Sequence, residues 1–275
     1  MPELPEVETI ARHLREGQSG APPLPGMTID GVTVRWPRHI ARPALSTFRR
    51  RIRNRSVQSI DRRGKYLVLS LDEGALLVHL KMSGDLVLEE RSRPRDKSER
   101  TVFRLRGGWE LRFNDARKFG KVFLVDEPEQ IVGKLGPEPL ADDFTAARLA
   151  RRLSQRRRQL KPLLLDQTFL AGLGNIYADE ALHQAGIHPL RLSDSLSHDE
   201  TTALWRGIRQ ALEHGLRHNG ASIDWVYRGG EFQNHFRVYA RTGQACPACG
   251  TPIRRIVVGQ RSTHFCPTCQ PERTR

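Results

Sequence analysis

At 275 residues the chain is long enough for two domains with separate cores or for one large one, and 45 Lys and Arg against 31 Asp and Glu leave a formal charge of +14. A field of that sign favours a polyanion, and with no long apolar run or basic amphipathic anchor, nucleic acid comes ahead of a membrane surface. Three acids within the first eight residues and no apolar h-region argue against a secretory signal and for a reducing, intracellular setting, where four cysteines serve as metal ligands rather than disulfides.

The opening run MPELPEVETI admits two compatible readings. Pro2 is small enough for Met1 to be removed, which leaves a free secondary amine able to attack an electrophilic carbon and form an iminium, with Glu3 beside it to handle protons. Pro5, Glu6 and Glu8 also suit the start of a helix, and Val7, Ile10, Ala11 and Leu14 follow at helical spacing from about residue 5. Short β-rich runs come next, at Val32 to Trp36, Ser56 to Ile60, Tyr66 to Leu71, Ala75 to Leu80 and Lys121 to Val125. Phe103 and Leu105 alternate with charged residues, Gly107-Gly108 turns, and Trp109, Leu111 and Phe113 alternate on the way back, which predicts a hairpin. This half is expected to be an antiparallel sandwich or barrel, with residues 89–100 as a charged, mobile loop.

The stretch LGPEPLADDF, 135–144, reads as a linker. Helices are expected over Thr145 to Leu153, Lys161 to Gln167, Asn175 to Ala185 and Asp199 to Leu216. The predicted organisation is therefore α+β and multidomain: a sheet region over 1–136, a helical region over 137–236 and a cysteine module over 237–275.

The cysteines stand as Cys246-x2-Cys249, sixteen residues, then Cys266-x2-Cys269. Two such knuckles supply four thiolates for one closed, structural zinc ion with no open position for water. The strands between them, Arg254 to Val258 and Thr263 to Phe265, turn at Gly259-Gln260-Arg261, so Arg261 becomes a probe for phosphate. Upstream, Gly172-Leu173-Gly174 lets a turn approach closely and leaves the amides of a helix beginning near Asn175 free for a phosphate, with Arg156, Arg157, Arg158 and Lys161 nearby. A plain helical hairpin fits the same glycines.

PELPEVE, GKYL at 64–67, HLKMSG at 79–84, NDARKFG at 114–120, LGPEPL, GLGNIYADEAL and the zinc hairpin, in this order and spacing, resemble formamidopyrimidine-DNA glycosylase over essentially the whole chain. The resemblance implies a β-sandwich with an N-terminal helix, a helix-two-turn-helix domain and a C-terminal zinc hairpin, acting on damaged double-stranded DNA. It implies that Pro2 attacks the sugar C1′ and expels the base, that Glu3 protonates the opening sugar, and that the iminium allows β- and then δ-elimination. Lys65 is implied as a catalytic lysine near the lesion phosphate, and Arg261 and Asn175 as the grip on the lesion's backbone. Met82, Arg117 and Phe119 would fill the hole left by the flipped base; from the residues alone, Met82 and Phe119 read as core. Arg157 is a further phosphate contact. Two positions depart from the family: Lys81 stands where glycine is common, and Ser98 where many members have a DNA-contacting histidine. RGGEFQ, 228–233, falls in the variable base-recognition region. The expected protein is a monomeric, cytoplasmic bacterial enzyme for oxidised purines. The alternatives are an endonuclease VIII-type enzyme for oxidised pyrimidines, whose opening usually has glycine where Leu4 stands, and a non-catalytic zinc-hairpin DNA-binding protein.

Overall fold

The computed structural model describes residues 1–18, 20–222 and 229–272. They form two compact units, Met1–Lys134 with Asn219–Gly230, and Leu135–His218 with Glu231–Arg275. The first begins with helix α1 (Leu4–Glu16), whose residues Leu4, Val7, Ile10, Ala11 and Leu14 are buried along one stripe. Strands β1 (Ile29–Val34), β7 (Glu99–Leu105), β8 (Trp109–Asp115) and β6 (Gly84–Glu90) form one sheet in the order β1-β7-β8-β6. Strands β2 (Ile40–Arg42), β9 (Lys121–Val125), β5 (Ala75–His79), β4 (Tyr66–Leu71) and β3 (Val57–Arg63) form the other in that order. All pairings are antiparallel except β2 with β9.

One core serves both sheets. Phe103, Leu111 and Phe113 of the first join Leu67, Leu69, Leu76, Val78 and Val122 of the second, together with α1 and with Phe48 and Ile52 of α2 (Leu45–Ile52). Each such side chain contributes about 1.5–3 kcal/mol by leaving water, so the sandwich is held by its interior. The expected mobile loop takes another form: β6 runs to Glu90 and β7 starts at Glu99, and the turn between them gathers around Arg112. That guanidinium is buried, pairs with Glu89, Glu99 and Glu110, and donates to the carbonyls of Arg93 and Pro94. A buried cation with this many partners fixes the segment that its charge pattern suggested was solvated.

The second unit is helical and ends in the cysteine module. Helices α4 (Ala146–Ser154), α5 (Leu160–Leu165), α6 (Asn175–Gln184) and α7 (His198–Arg217) follow a short α3 (Glu129–Val132) that closes the first unit. Thr145 caps α4 through the Arg148 amide at 3.2 Å, and Ser197 and Glu200 form a capping box on α7. Helices α6 and α7 approach closely. A Cβ at Gly207 would lie 2.6 Å from the Ala181 carbonyl, and one at Gly215 would strike the Tyr177 ring at 2.4 Å. The segment expected to be a linker is bonded into this unit: Gly136 N–H donates to the Gln167 carbonyl and Ala171 N–H to the Pro137 carbonyl. Among the described residues no helix is long and apolar enough to cross a membrane.

Candidate active site and nucleic-acid interface

The N-terminus is tied down from two directions. Glu3 is the N-cap of α1: its carboxylate accepts from the Glu6 amide, and the Glu6 carboxylate accepts from the Glu3 amide at 2.7 Å. The other Glu6 oxygen accepts from the Ala221 amide at 2.7 Å, and a Cβ at Gly220 would lie 2.6 Å from it. Glu6 is thus a buried clasp between the start of α1 and a segment 215 positions away. In the sequence it is only one more acid in a first helical turn. Pro2 is buried and Met1 is exposed.

Lys65 lies in the two-residue turn joining β3 to β4, where Arg63 pairs with Tyr66. Gly64 takes φ 57 at the first central position, the type II′ pattern that suits the twist of a hairpin. Lys65 is only 5 % exposed, which separates it from a solvated basic strand residue. His79, across from Tyr66, is pushed down to about 3 by burial and by the charges of Lys81 and Lys65. The imidazole is therefore neutral, and its Nδ1 accepts from the Lys81 amide at 3.0 Å.

The three void-filling candidates sit on two turns that a buried carboxylate organises. Asp115, at the end of β8, accepts from Ser83 Oγ at 2.5 Å, from the Gly120 amide at 2.7 Å and from His39 Nε2 at 3.1 Å. Ser83 Oγ in turn accepts from the Arg117 amide at 3.0 Å. The turn carrying Met82 is thereby joined to the turn carrying Arg117 and Phe119, whose guanidinium and ring stack at 5.3 Å. Phe119 is 51 % exposed and Met82 only half-buried, so neither belongs to the core that their residue types suggested. A large, exposed aromatic on a braced turn is suited to stacking on a base. Asp115 and Ser83 lie within motifs visible in the sequence, but nothing there reveals that they bond each other.

Lys81 adopts φ 56, the left-handed region, a conformation that suits the glycine the resemblance leads one to expect here. The strain is about 1–2 kcal/mol for a side chain with a Cβ, while glycine adds about 0.5–1 kcal/mol of unfolded-state entropy. We expect Lys81→Gly to leave thermal stability nearly unchanged and Lys81→Val to lower it by at least about 1 kcal/mol. Equal melting temperatures for the two variants would contradict this. Ser98 donates through its amide and hydroxyl to Asp96 Oδ1, and its carbonyl accepts from the Asp115 amide.

In the second unit the structure brings Asn175 and Arg261 together. Asn175 is the first residue of α6, and its Nδ2 donates to the Ser262 carbonyl at 2.9 Å, next to Arg261. Its Oδ1 is buried without a protein partner among the described residues. Gln167 braces the preceding turn, accepting from the Gly172 amide and donating to the Leu173 carbonyl. Strands β10 (Arg254–Val258) and β11 (Arg261–Phe265) are joined by Gly259 and Gln260, both at positive φ, as a type I′ turn requires. Arg261 therefore opens β11 beside the tip, and it is exposed. Asp179 locks the hairpin to α6: it pairs with the buried Lys161 and accepts from the His264 amide at 3.0 Å. Arg157 is exposed on the connection between α4 and α5, with Asp194 at 3.9 Å. In the base-recognition region Arg228 lies outside the described residues.

The four cysteines converge. Their sulfurs all lie within 4.8 Å of one another, with Cys249 3.4 Å from Cys266 and Cys246 3.9 Å from Cys269. A zinc ion with Zn–S bonds of about 2.3 Å separates its ligands by about 3.8 Å, so the residues fit one ion. Amides of Ala248 and Cys269 point at Cys246 and Cys266, and His183 Nε2 lies 3.4 Å from Cys246. Cys249 is pulled down to about 6, chiefly by hydrogen bonds to Thr251, whereas burial pushes Cys266 and Cys269 up. The apolar core beneath is Val238, Cys246, Ile253 and Cys266, half of it the ligands themselves. Such a core cannot hold the hairpin alone. Stripping the metal with a chelator should speed amide exchange over 254–265 and weaken binding to lesion DNA; unchanged protection in that hairpin would refute a structural role.

Three family domains match successive parts of the chain. Residues 1–122 match the formamidopyrimidine-DNA glycosylase N-terminal domain, 135–226 its H2TH domain, and 243–271 the zinc finger found in FPG and IleRS. Together these define a DNA glycosylase fold of sheet domain, helix-two-turn-helix and zinc finger. The formamidopyrimidine-DNA glycosylase of Herpetosiphon aurantiacus is 44% identical over 277 residues, covering 98% of this chain and 100% of the relative. That of Chloroflexus aurantiacus is 46% identical, covering 98% of each. Among solved structures, the Lactococcus lactis Fpg bound to DNA containing an abasic site is 34% identical with a TM-score of 0.90, over 98% of this chain and all of that one. MutM in complex with DNA containing carbocyclic 8-oxo-G gives the same identity, TM-score and coverage. The chain belongs to the formamidopyrimidine-DNA glycosylase family.

Proposed function

We propose that Pro2, freed of Met1, is the nucleophile of this base-excision DNA glycosylase and AP lyase for oxidised purines, with Glu3 as its proton donor. The observation that carries the reading is the double fixing of the N-terminus by the Glu3–Glu6 capping box and the Glu6 bond to Ala221. A nucleophile is useful only if it is held where the electrophile arrives. The amine attacks C1′ of the damaged nucleotide and the base leaves with a proton; the opened sugar becomes an iminium. The iminium acidifies the neighbouring C–H, so the 3′ and then the 5′ phosphate depart by β- and δ-elimination, and water releases the sugar fragment.

Lys65 is assigned to the lesion phosphate, and its burial beside a neutral His79 supports that reading. Asn175 and Arg261 hold the backbone of the kinked strand, supported by their adjacency through Ser262, with Arg157 as an outer contact. Met82, Arg117 and Phe119 occupy the vacated stack, supported by their exposure and by the joined turns. Four thiolates at Cys246, Cys249, Cys266 and Cys269 hold a zinc ion that supplies folding energy to the hairpin and no chemistry to the lesion. We read three domains, over 1–136, 137–236 and 237–275, and a monomer acting in the bacterial cytoplasm on nucleoid DNA.

The decisive experiment incubates processed protein with duplex DNA containing 8-oxoguanine and adds borohydride, which reduces an iminium to a stable adduct. Wild type should be trapped. Pro2→Gly should trap far less, and a form that retains Met1, whose Pro2 nitrogen is an amide, should bind the DNA without trapping. Equal trapping by all three would assign the nucleophile elsewhere.

A further inference from the structure

His214 stands in the last turn of α7 and His218, four residues on, is its C-cap. A third imidazole reaches them from a different element: His235 closes the short 3₁₀ helix Phe232–His235. The ring centroids are 4.8 Å apart for His214 and His218, 5.2 Å for His214 and His235, and 3.8 Å for His218 and His235. One ring nitrogen from each lies within 4.8 Å of the other two. His214 is half-buried, with the Phe232 ring at 5.3 Å, and His235 is exposed, so the group opens to solvent. None of the three belongs to the catalytic or DNA-gripping residues assigned above, and none ligates with the cysteines.

Two histidines at i and i+4 with a third from a neighbouring segment are a donor set for a late first-row divalent metal. The neutral imidazole, which has a free ring nitrogen, is the form that ligates. Arg217 and Arg237 flank the group and repel hard cations held only by charge; Glu231 is the nearby acid. That selects ions that form strong bonds to imidazole over Mg²⁺ or Ca²⁺. We propose that His214, His218 and His235 form a second metal site, separate from the four cysteines, that takes a zinc-like divalent ion with a water or other external ligand in the fourth position.

Its place in the chain suggests its effect. The Glu231 amide donates to the His218 carbonyl at 2.9 Å, so the end of α7 and the 3₁₀ helix that carries His235 are already tied at one point. A metal bridging His218 and His235 adds a second tie between the same two elements.

The test uses protein whose cysteine site is already loaded and which has been desalted. Zinc is titrated calorimetrically, and bound metal is measured by elemental analysis against wild type, His218→Ala/His235→Ala, and the single variant His235→Ala, whose exposed position keeps the fold safe. Wild type should take up one more equivalent of zinc than either variant, and zinc should slow amide exchange at 214–218 and 232–236 in wild type alone. The same stoichiometry in wild type and His235→Ala, or protection that zinc induces equally in both, would overturn the proposal.

Discussion

Replacing Glu6 with alanine should destabilise the first unit by about 2–4 kcal/mol, because two buried backbone donors lose their acceptor at once. Those donors are the amides of Glu3 and Ala221. The same substitution should sharply reduce the yield of borohydride-trapped adduct under conditions where the variant is still folded, since the clasp positions Glu3 beside the proposed nucleophile Pro2. Glu6→Gln keeps the volume and one acceptor but turns a donor towards one of the two amides, so it should recover only part of the stability. Gly220→Ala approaches the contact from the other side: φ 77 and a Cβ 2.6 Å from Glu6 Oε1 predict a loss of similar sign. Denaturant unfolding measures the first effect and adduct yield the second. If Glu6→Ala unfolds at the wild-type midpoint and traps as fast, the clasp has no positioning role.

This clasp illustrates what a linear reading could and could not reach. Strands with an uninterrupted local pattern were legible: Tyr66–Leu71 and Lys121–Val125 coincide with the predicted runs. The helix Leu45–Ile52 was not, because only Phe48 and Ile52 of LSTFRRRI face the core and three consecutive arginines mask that pair. Strand β6 was hidden in the same way by Asp85, Glu89 and Glu90, of which Glu89 pairs with Arg112. Residue type also misled at Phe119, where an aromatic reads as core until its exposure is known. The chemistry-bearing motifs were visible as words, but the bonds between words were not. Glu6 with Ala221, Ser83 with Asp115, and Asn175 with Ser262 are each separated by at least thirty-two positions. The histidine cluster is a further case, since His214 and His218 carry a helical spacing while His235 joins them only through the fold.

Asp115→Ala should be the most damaging single change in the first unit, at about 3–5 kcal/mol, since it removes one buried carboxylate and strands three donors. Burial alone would raise the Asp115 carboxyl, but the hydrogen bonds from His39, Ser83 and Gly120 outweigh it and hold the group below its ordinary value of 3.8. The sign of the pH dependence follows. A carboxylate depressed in the folded state stabilises above the unfolded value and loses that contribution as pH falls through the folded value. Wild type should therefore lose stability below about pH 3.8 by an increment that the variant lacks. The functional consequence separates two kinds of DNA contact. Loosening the turns of Met82, Arg117 and Phe119 should erode the preference for lesion over undamaged duplex if those residues fill the vacated stack as proposed, while the dependence of affinity on salt stays nearly the same. Arg261→Ala should do the reverse, lowering affinity for both duplexes and reducing the salt slope by about 1. Measuring lesion preference and salt slope for the two variants distinguishes the wedge from the grip. A salt slope that falls in Asp115→Ala, with lesion preference intact, would move those turns from the base stack to the phosphate backbone.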